Sequence, residues 1–382
     1  MEHMETVAYF DHAATTPLRP QALDAMLPFL TGRFGNPSGS HSVSRDAKRA
    51  LEEARETVAG CAGCEPGEVV FTGSGTEADN LAILGAVAAR PGRAVCSAIE
   101  HHAVLHAVQA CGGTTLPVDR VGVVDLDRLA DGLGGDVSVV SVMLANNEVG
   151  TIQPLADLAA VVRAVAPAAV LHTDAVQAFP WVDVRSAAAC ADLVAVSAHK
   201  FGGPKGVGAL LVRRGTPVAP VIHGGGQEQD RRSGTHNVAG IVGMAAAMRS
   251  TVTEREAVVE RVGRQRDRLA DGLLGCVPGA VETGERATKI AGNCHLRFPD
   301  VESEALLVLL DDAGVCASAG SACASGAMEP SHVLTAMGVD RDGALSSVRL
   351  SLGPTTTDAD VDRALAVVPD AVARLRDRAR AS

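Results

Sequence analysis

Apolar and polar positions along this chain change their spacing several times, and the changes mark out its elements. An extended segment, Val7–Pro17, gives way to apolar residues at helical spacing over Pro20–Leu30. The stretch Gly35–His41 is too rich in turn formers to be regular, and helical spacing returns over Ser44–Ala59. The short run Glu68–Thr72 predicts a strand, and Gly73–Asp79 turns from it directly into an apolar helix ending near Arg90. Strand and helix signals then take turns: strand Ala94–Ile99, a helix from His102, strand Val137–Leu144, helix Leu155–Val165, strand Ala169–Thr173, another helix, strand Leu193–Val196. A second apolar run, Ala209–Val212, follows a glycine-proline turn. Such alternation predicts an α/β fold with a mainly parallel sheet wrapped by helices. Beyond it the rhythm differs. A long charged helix around Met248–Arg268 leads to Ile290–Phe298, Glu302–Asp311 and Ser347–Ser351, the pattern of a smaller α+β domain. We expect a large domain over residues 18–249 and a small domain from 1–17 plus 250–382.

Composition narrows the function. With 382 residues, 47% hydrophobic and 21% charged, the chain folds around a sizeable core. Aromatics are only 2%, so Ala, Val and Leu fill that core and platforms for base stacking are scarce. A net charge of -11 argues against a nucleic-acid backbone as partner. No run has the length of a membrane span, and Met1–Thr16 lacks a secretory apolar region. Nine cysteines, an odd number scattered without a disulfide pattern, fit a reducing cytosol, so the expected location is cytoplasmic. Cys61 and Cys64 form a C-x-x-C with no second pair at zinc spacing; they are expected to be structural, and no metal site is expected.

Candidate chemistry gathers where open α/β sheets bind ligands, at the carboxyl ends of the strands. Lys200 follows the strand Leu193–Val196. An amine in so dry a place has a lowered pKa and attacks carbonyls, the aldehyde of pyridoxal phosphate among them. Gly73-Ser-Gly-Thr76 stands between a strand and a helix start, where free N–H groups hold phosphate. The same turn also fits a dinucleotide fingerprint, with Glu100 near the place of a ribose-binding acid. Asp174 decides between the two. It ends the strand Ala169–Thr173, one strand-helix-strand unit before Lys200, and so faces the same crevice. There it pairs with a protonated pyridine nitrogen while the lysine holds the aldehyde as a Schiff base, two roles a nicotinamide enzyme does not need.

The segments Ser197-Ala-His-Lys-Phe-Gly-Gly-Pro-Lys-Gly, Asn146-Asn-Glu-Val-Gly, His172-Thr-Asp-Ala-Val-Gln, Gly224-Gly-Gly-Gln-Glu, Arg232-Ser-Gly-Thr and Gly320-Ser-Ala-Cys-Ala-Ser together resemble the cysteine desulfurases of the fold-type-I, class V aminotransferase superfamily. Asp11-His-Ala-Ala-Thr-Thr-Pro and Ser346-Ser-Val-Arg-Leu-Ser-Leu-Gly carry the resemblance to both ends. It implies the PLP-dependent transferase fold, with pyridoxal 5'-phosphate bound by the large domain. Lys200 would be the Schiff-base lysine and proton shuttle, and His101 would stack on the ring. Asp174 would hold the ring nitrogen and Gln177 the ring oxygen. Gly75, Thr76, Ser197 and His199 would hold the phosphate, joined by Thr235 from a second subunit of a homodimer. Asn147 and Arg349 would grip the substrate carboxylate, with Asn36 nearby; a guanidinium fork matches a carboxylate bidentately. Cys323, among small residues of the small domain, would take the sulfur of L-cysteine as a persulfide and hand it to an acceptor protein. The acceptor class stays open among an iron–sulfur scaffold, a tRNA-thiolation enzyme and a sulfur carrier. His12, Ala198 and Val176 depart from the commonest family residues. Two other readings remain: a selenocysteine lyase or other class V aminotransferase or lyase, and a non-catalytic scaffold for sulfur carriers.

Overall fold

The computed structural model describes residues 7–319 and 329–381. Its largest sheet has seven strands, in the order Val69–Thr72, Gly208–Val212, Leu193–Ser197, Val170–Asp174, Val137–Ser141, Arg93–Ser97, Thr114–Leu116. All run parallel except Gly208–Val212, which lies antiparallel between Val69–Thr72 and Leu193–Ser197. The reason is local. Phe201–Val207 is too short for a crossover, so the chain can only return alongside the strand it has left. The central strands are buried at every position, as expected where helices cover both faces.

Two apolar layers sandwich this sheet. On one side Leu51, Val58, Leu158, Val162 and Met244 pack on Phe71, Val140, Leu171 and Val194. On the other, Leu81, Ile83, Val104 and Val108 pack on Val70, Cys96, Val139 and Leu210. A separate core joins Phe10, Leu269, Leu273, Leu296, Phe298, Leu306, Leu350 and Val368 around the three-stranded sheet Ser347–Ser351, Asn293–Arg297, Val281–Glu282. The helix Val238–Cys276 runs through both: Ile241 to Met248 belong to the first core, Val262 to Leu273 to the separate one. The helix expected around Met248–Arg268 is thus the middle of a 39-residue element, and residues 249/250 lie within it. The helices Leu126–Gly132 and Asp358–Ala381 and the strand Thr114–Leu116 add to the elements expected from the sequence.

No helix among the described residues is long and apolar enough to cross a membrane. Cys61 and Cys64 are free thiols, and burial pushes Cys64 up to about 11, away from reactivity.

Candidate active site

A cavity of about 410 Å³ opens at the carboxyl ends of the parallel strands. Gly75, Thr76, His101, Asn147, Asp174, Gln177, Ser197, His199, Lys200 and Arg349 line it, ten side chains or backbones that the sequence placed at a cofactor or substrate. Asp174 and Ser197 end adjacent parallel strands, and a 3₁₀ turn, Ala198–Lys200, swings the lysine over the cavity.

Lys200 is held by the amino-terminal segment. Its Nζ donates to the carbonyls of Ala13 at 2.6 Å and Ala14 at 2.9 Å. Gln177 Nε2 also donates to Ala13 O, at 2.6 Å. Burial first, then the Arg349 guanidinium, push the amine down to about 8, while Asp174 and Asp11 pull the other way. One oxygen of Asp174 accepts the Val176 N–H at 2.8 Å, and burial raises the carboxyl's pKa. The desolvating crevice, then the Lys200 charge, bring His101 down to about 4. Its Nδ1 accepts the Ala103 N–H at 3.1 Å, so the neutral ring carries its proton on Nε2. His199 is likewise lowered to about 4, by desolvation and then Lys200, and its Nδ1 meets Thr15 Oγ1 at 3.2 Å.

The phosphate turn is built on close backbone approach. Ser74 caps the helix Gly75–Ala89 by accepting the Glu77 N–H at 3.1 Å. A Cβ on Gly75 would come within 3.0 Å of Val176 Cγ2 and 3.1 Å of Ser197 Cβ, so only glycine lets the helix start sit this near the strand ends. The hydroxyls of Thr76 and Ser197 bond no other described residue. Arg349 reaches across from the three-stranded sheet, bonding Asn147 O and Asp11 Oδ1, each at 2.9 Å. Its Nε is buried and has no partner among the described residues.

Some features gave no signal in the sequence. Asp79, buried in the helix Gly75–Ala89, lines the cavity floor, and its Oδ1 lies 3.6 Å from His172 Nε2. Burial and then Asp174 and Glu100 raise the Asp79 pKa far above the carboxylate range. Glu100 does not face a ribose. It is buried, accepts from Ser97 Oγ at 2.6 Å and Met143 N at 2.8 Å, and burial lifts it to about 8. Asp79 and Asp174 thus line the cavity together, with Glu100 close enough to add to the rise at Asp79. Asn36 and Thr235 are exposed and do not line this cavity. Cys323 lies outside the described residues.

These donors fit pyridoxal phosphate: an amine for the aldehyde, a carboxyl floor for a cationic ring nitrogen, and a helix start with two hydroxyls for the phosphate. Together with the sheet topology they define the pyridoxal-phosphate-dependent enzymes of fold type I. The chain belongs to the class-V aminotransferase family of these enzymes, whose model matches residues 8–364, and within it to the cysteine desulfurases. It is 46% identical to an IscS-like cysteine desulfurase of Mycobacterium tuberculosis, over 98% of this chain and 99% of the relative. It is 43% identical to a cysteine desulfurase IscS of Methanosarcina thermophila, over 97% and 93% respectively. A solved NifS-like protein superposes with a TM-score of 0.90 at 35% identity, over 96% of this chain and 100% of that one.

Proposed function

We propose that this protein converts L-cysteine to L-alanine, holds the sulfur as a persulfide on Cys323 and passes it to an acceptor protein. The observation that carries the proposal is the half-buried, pKa-lowered amine of Lys200 sharing one cavity with Asp174, in a chain whose full-length relatives are named cysteine desulfurases.

Pyridoxal phosphate, when bound, supplies an aldehyde for the substrate amine and a ring that draws electrons from Cα. Gly75 and Thr76 backbone N–H groups, with Thr76, Ser197 and His199 side chains, would hold its phosphate, joined by Thr235 of a second copy in a homodimer. Asp174 would hold a proton on the ring nitrogen, and Gln177, bonded here to Ala13 O, would hold the ring oxygen. Arg349 and Asn147 would fix the substrate carboxylate, with Asn36 nearby. Lys200, as a neutral amine, would remove the Cα proton and return it along the reaction, and His101, which lines the same cavity, would stack on the ring and assist proton transfer. The Cys323 thiolate attacks the substrate sulfur. A sulfur–sulfur bond forms as the Cβ–S bond breaks; the electron pair stays with the carbon fragment, which takes up protons and leaves as alanine, so carbon is reduced as sulfur is oxidised.

We assign the large domain to residues 18–249, and the small domain, with the Cys323 segment, to 1–17 and 250–382. The acceptor is an iron–sulfur scaffold, a tRNA-thiolating enzyme or a sulfur carrier, and the setting is the reducing cytoplasm. The test compares alanine formation from cysteine by wild type and Cys323→Ser. Loss of alanine and of protein-bound persulfide supports the desulfurase; an unchanged rate assigns the chain to a selenocysteine lyase or another class V activity.

A further inference from the structure

The loop from Gly224 to Asn237 carries Thr235 at its exposed end, yet its base is fastened with unusual force. Glu228, Gln229 and Asp230 have φ of 52°, 58° and 61°, three successive non-glycine residues in the left-handed region. L side chains avoid that region, so the conformation persists only where the surroundings impose it.

Glu228 is what imposes it. Its side chain is 1% exposed, in a loop where Ser233 is the one other buried residue. Arg55, from the helix Ser42–Ala62, donates to both its oxygens, at 2.8 and 2.7 Å. The N–H of Phe71, pointing away from its only neighbour at the edge of the sheet, donates at 2.8 Å. His236, the residue after Thr235, meets it at 2.6 Å. One carboxylate thus ties the loop to a core helix, to the strand feeding the phosphate turn and to its own tip. A second fastening lies nearby: Arg232 pairs with Glu77 at 2.6 Å, and Glu77 also accepts the Gly73 N–H. Beside this arm Val221 and Ile222 are 39% and 41% exposed, apolar area that a second copy would cover.

We infer that Glu228 is the positioning residue of a phosphate-binding arm that acts on the cavity of a second copy. This rests on the reading above, in which Thr235 completes the phosphate site of that copy. Glu228 does not line the cavity. It holds His236, and through it Thr235, in a geometry formed before the cofactor arrives, so less ordering cost remains at binding.

Mixed dimers test the inference. One chain carries Lys200→Ala, the other Glu228→Gln, and two affinity tags isolate the pair. The readout is the pyridoxal phosphate concentration that half-saturates borohydride labelling of Lys200, not turnover. The Glu228→Gln homodimer should need about tenfold more cofactor, the equivalent of one lost hydrogen bond to a charged group. In the mixed dimer the single intact lysine receives its arm from the chain with Glu228, so half-saturation returns to the wild-type value. A mixed dimer as weak as the Glu228→Gln homodimer overturns the inference, because the defect then lies within one subunit. Thr235→Ala in the same pairing separates the premises. If it too is not rescued, or if the wild-type chain sediments as a monomer, the reading of Thr235 fails. If it is rescued and Glu228→Gln is not, only the inference about Glu228 fails. Should Glu228→Gln not fold, His236→Ala leaves the Arg55–Glu228 pair in place and carries the same prediction.

Discussion

Capture of pyridoxal phosphate by the cofactor-free protein should depend on pH through one amine. An ordinary lysine titrates at 10.5; burial and then the Arg349 charge bring Lys200 to about 8, against the opposing pull of Asp174 and Asp11. Only the neutral amine attacks the aldehyde. At pH 7.5 a lysine of pKa 10.5 is neutral in about 0.1% of molecules and one of pKa 8 in roughly a quarter, a gain of roughly two hundredfold. Stopped-flow absorbance on stripped protein should therefore show the capture rate rising about tenfold per pH unit below 7 and levelling above about 8. Arg349→Met removes the second cause of the shift and should move the plateau to higher pH. Linkage gives a second readout. Between about 8 and 10.5 the unfolded chain binds more protons at this group than the folded one, so Lys200 by itself contributes a gain in stability as pH rises through that window. The buried thiols contribute in the opposite direction, so the gain is read as the difference between wild type and a variant without this lysine. Lys200→Met should abolish the gain in calorimetry. A wild-type capture rate still climbing tenfold per unit through about pH 9.5 would refute the reasoning.

Gly75→Ala drives a methyl against Val176 and Ser197, so it should weaken cofactor binding at least about tenfold and cost about 1–3 kcal/mol of stability, read by titration and by thermal melts. Arg349→Lys loses the fork that bonds Asn147 O and Asp11; kcat/KM for cysteine should fall about a hundredfold, mostly through KM, with the spectrum of bound cofactor unchanged. Asp174→Asn removes the charge that, in the proposed reading, would keep a proton on the ring nitrogen. A lost buried ion pair is worth about 3–5 kcal/mol, so Cα-proton exchange, followed by deuterium uptake into cysteine, should slow by roughly two to four orders of magnitude.

Much of this site is legible in the sequence because strand ends announce it. Lys200 and Asp174 each follow an apolar run, and the topology of a parallel sheet then brings them together. Pro20–Leu30, Leu155–Val165 and Ser347–Ser351 form with the bounds their spacing predicts. An apolar run has no direction, however, so nothing in Ala209–Val212 reveals that this strand is antiparallel. The carbonyls of Ala13 and Ala14 that hold Lys200 belong to the backbone, and any residue supplies them. Asp79 looks like an ordinary acid in the first turns of a helix; only the packing of that helix over Asp174 and His172 turns it into part of the cavity floor. Asn36 and Thr235, expected at the ligands, are exposed and lie outside the cavity of their own chain.

The measurement closest to the centre of the account is reduction of the pyridoxal-phosphate-loaded protein with borohydride, followed by mass mapping of its peptides. The pyridoxyl group should be found on the Lys200 peptide and be absent from a Lys200→Ala protein. A label on any other lysine, or no label at all, contradicts the account.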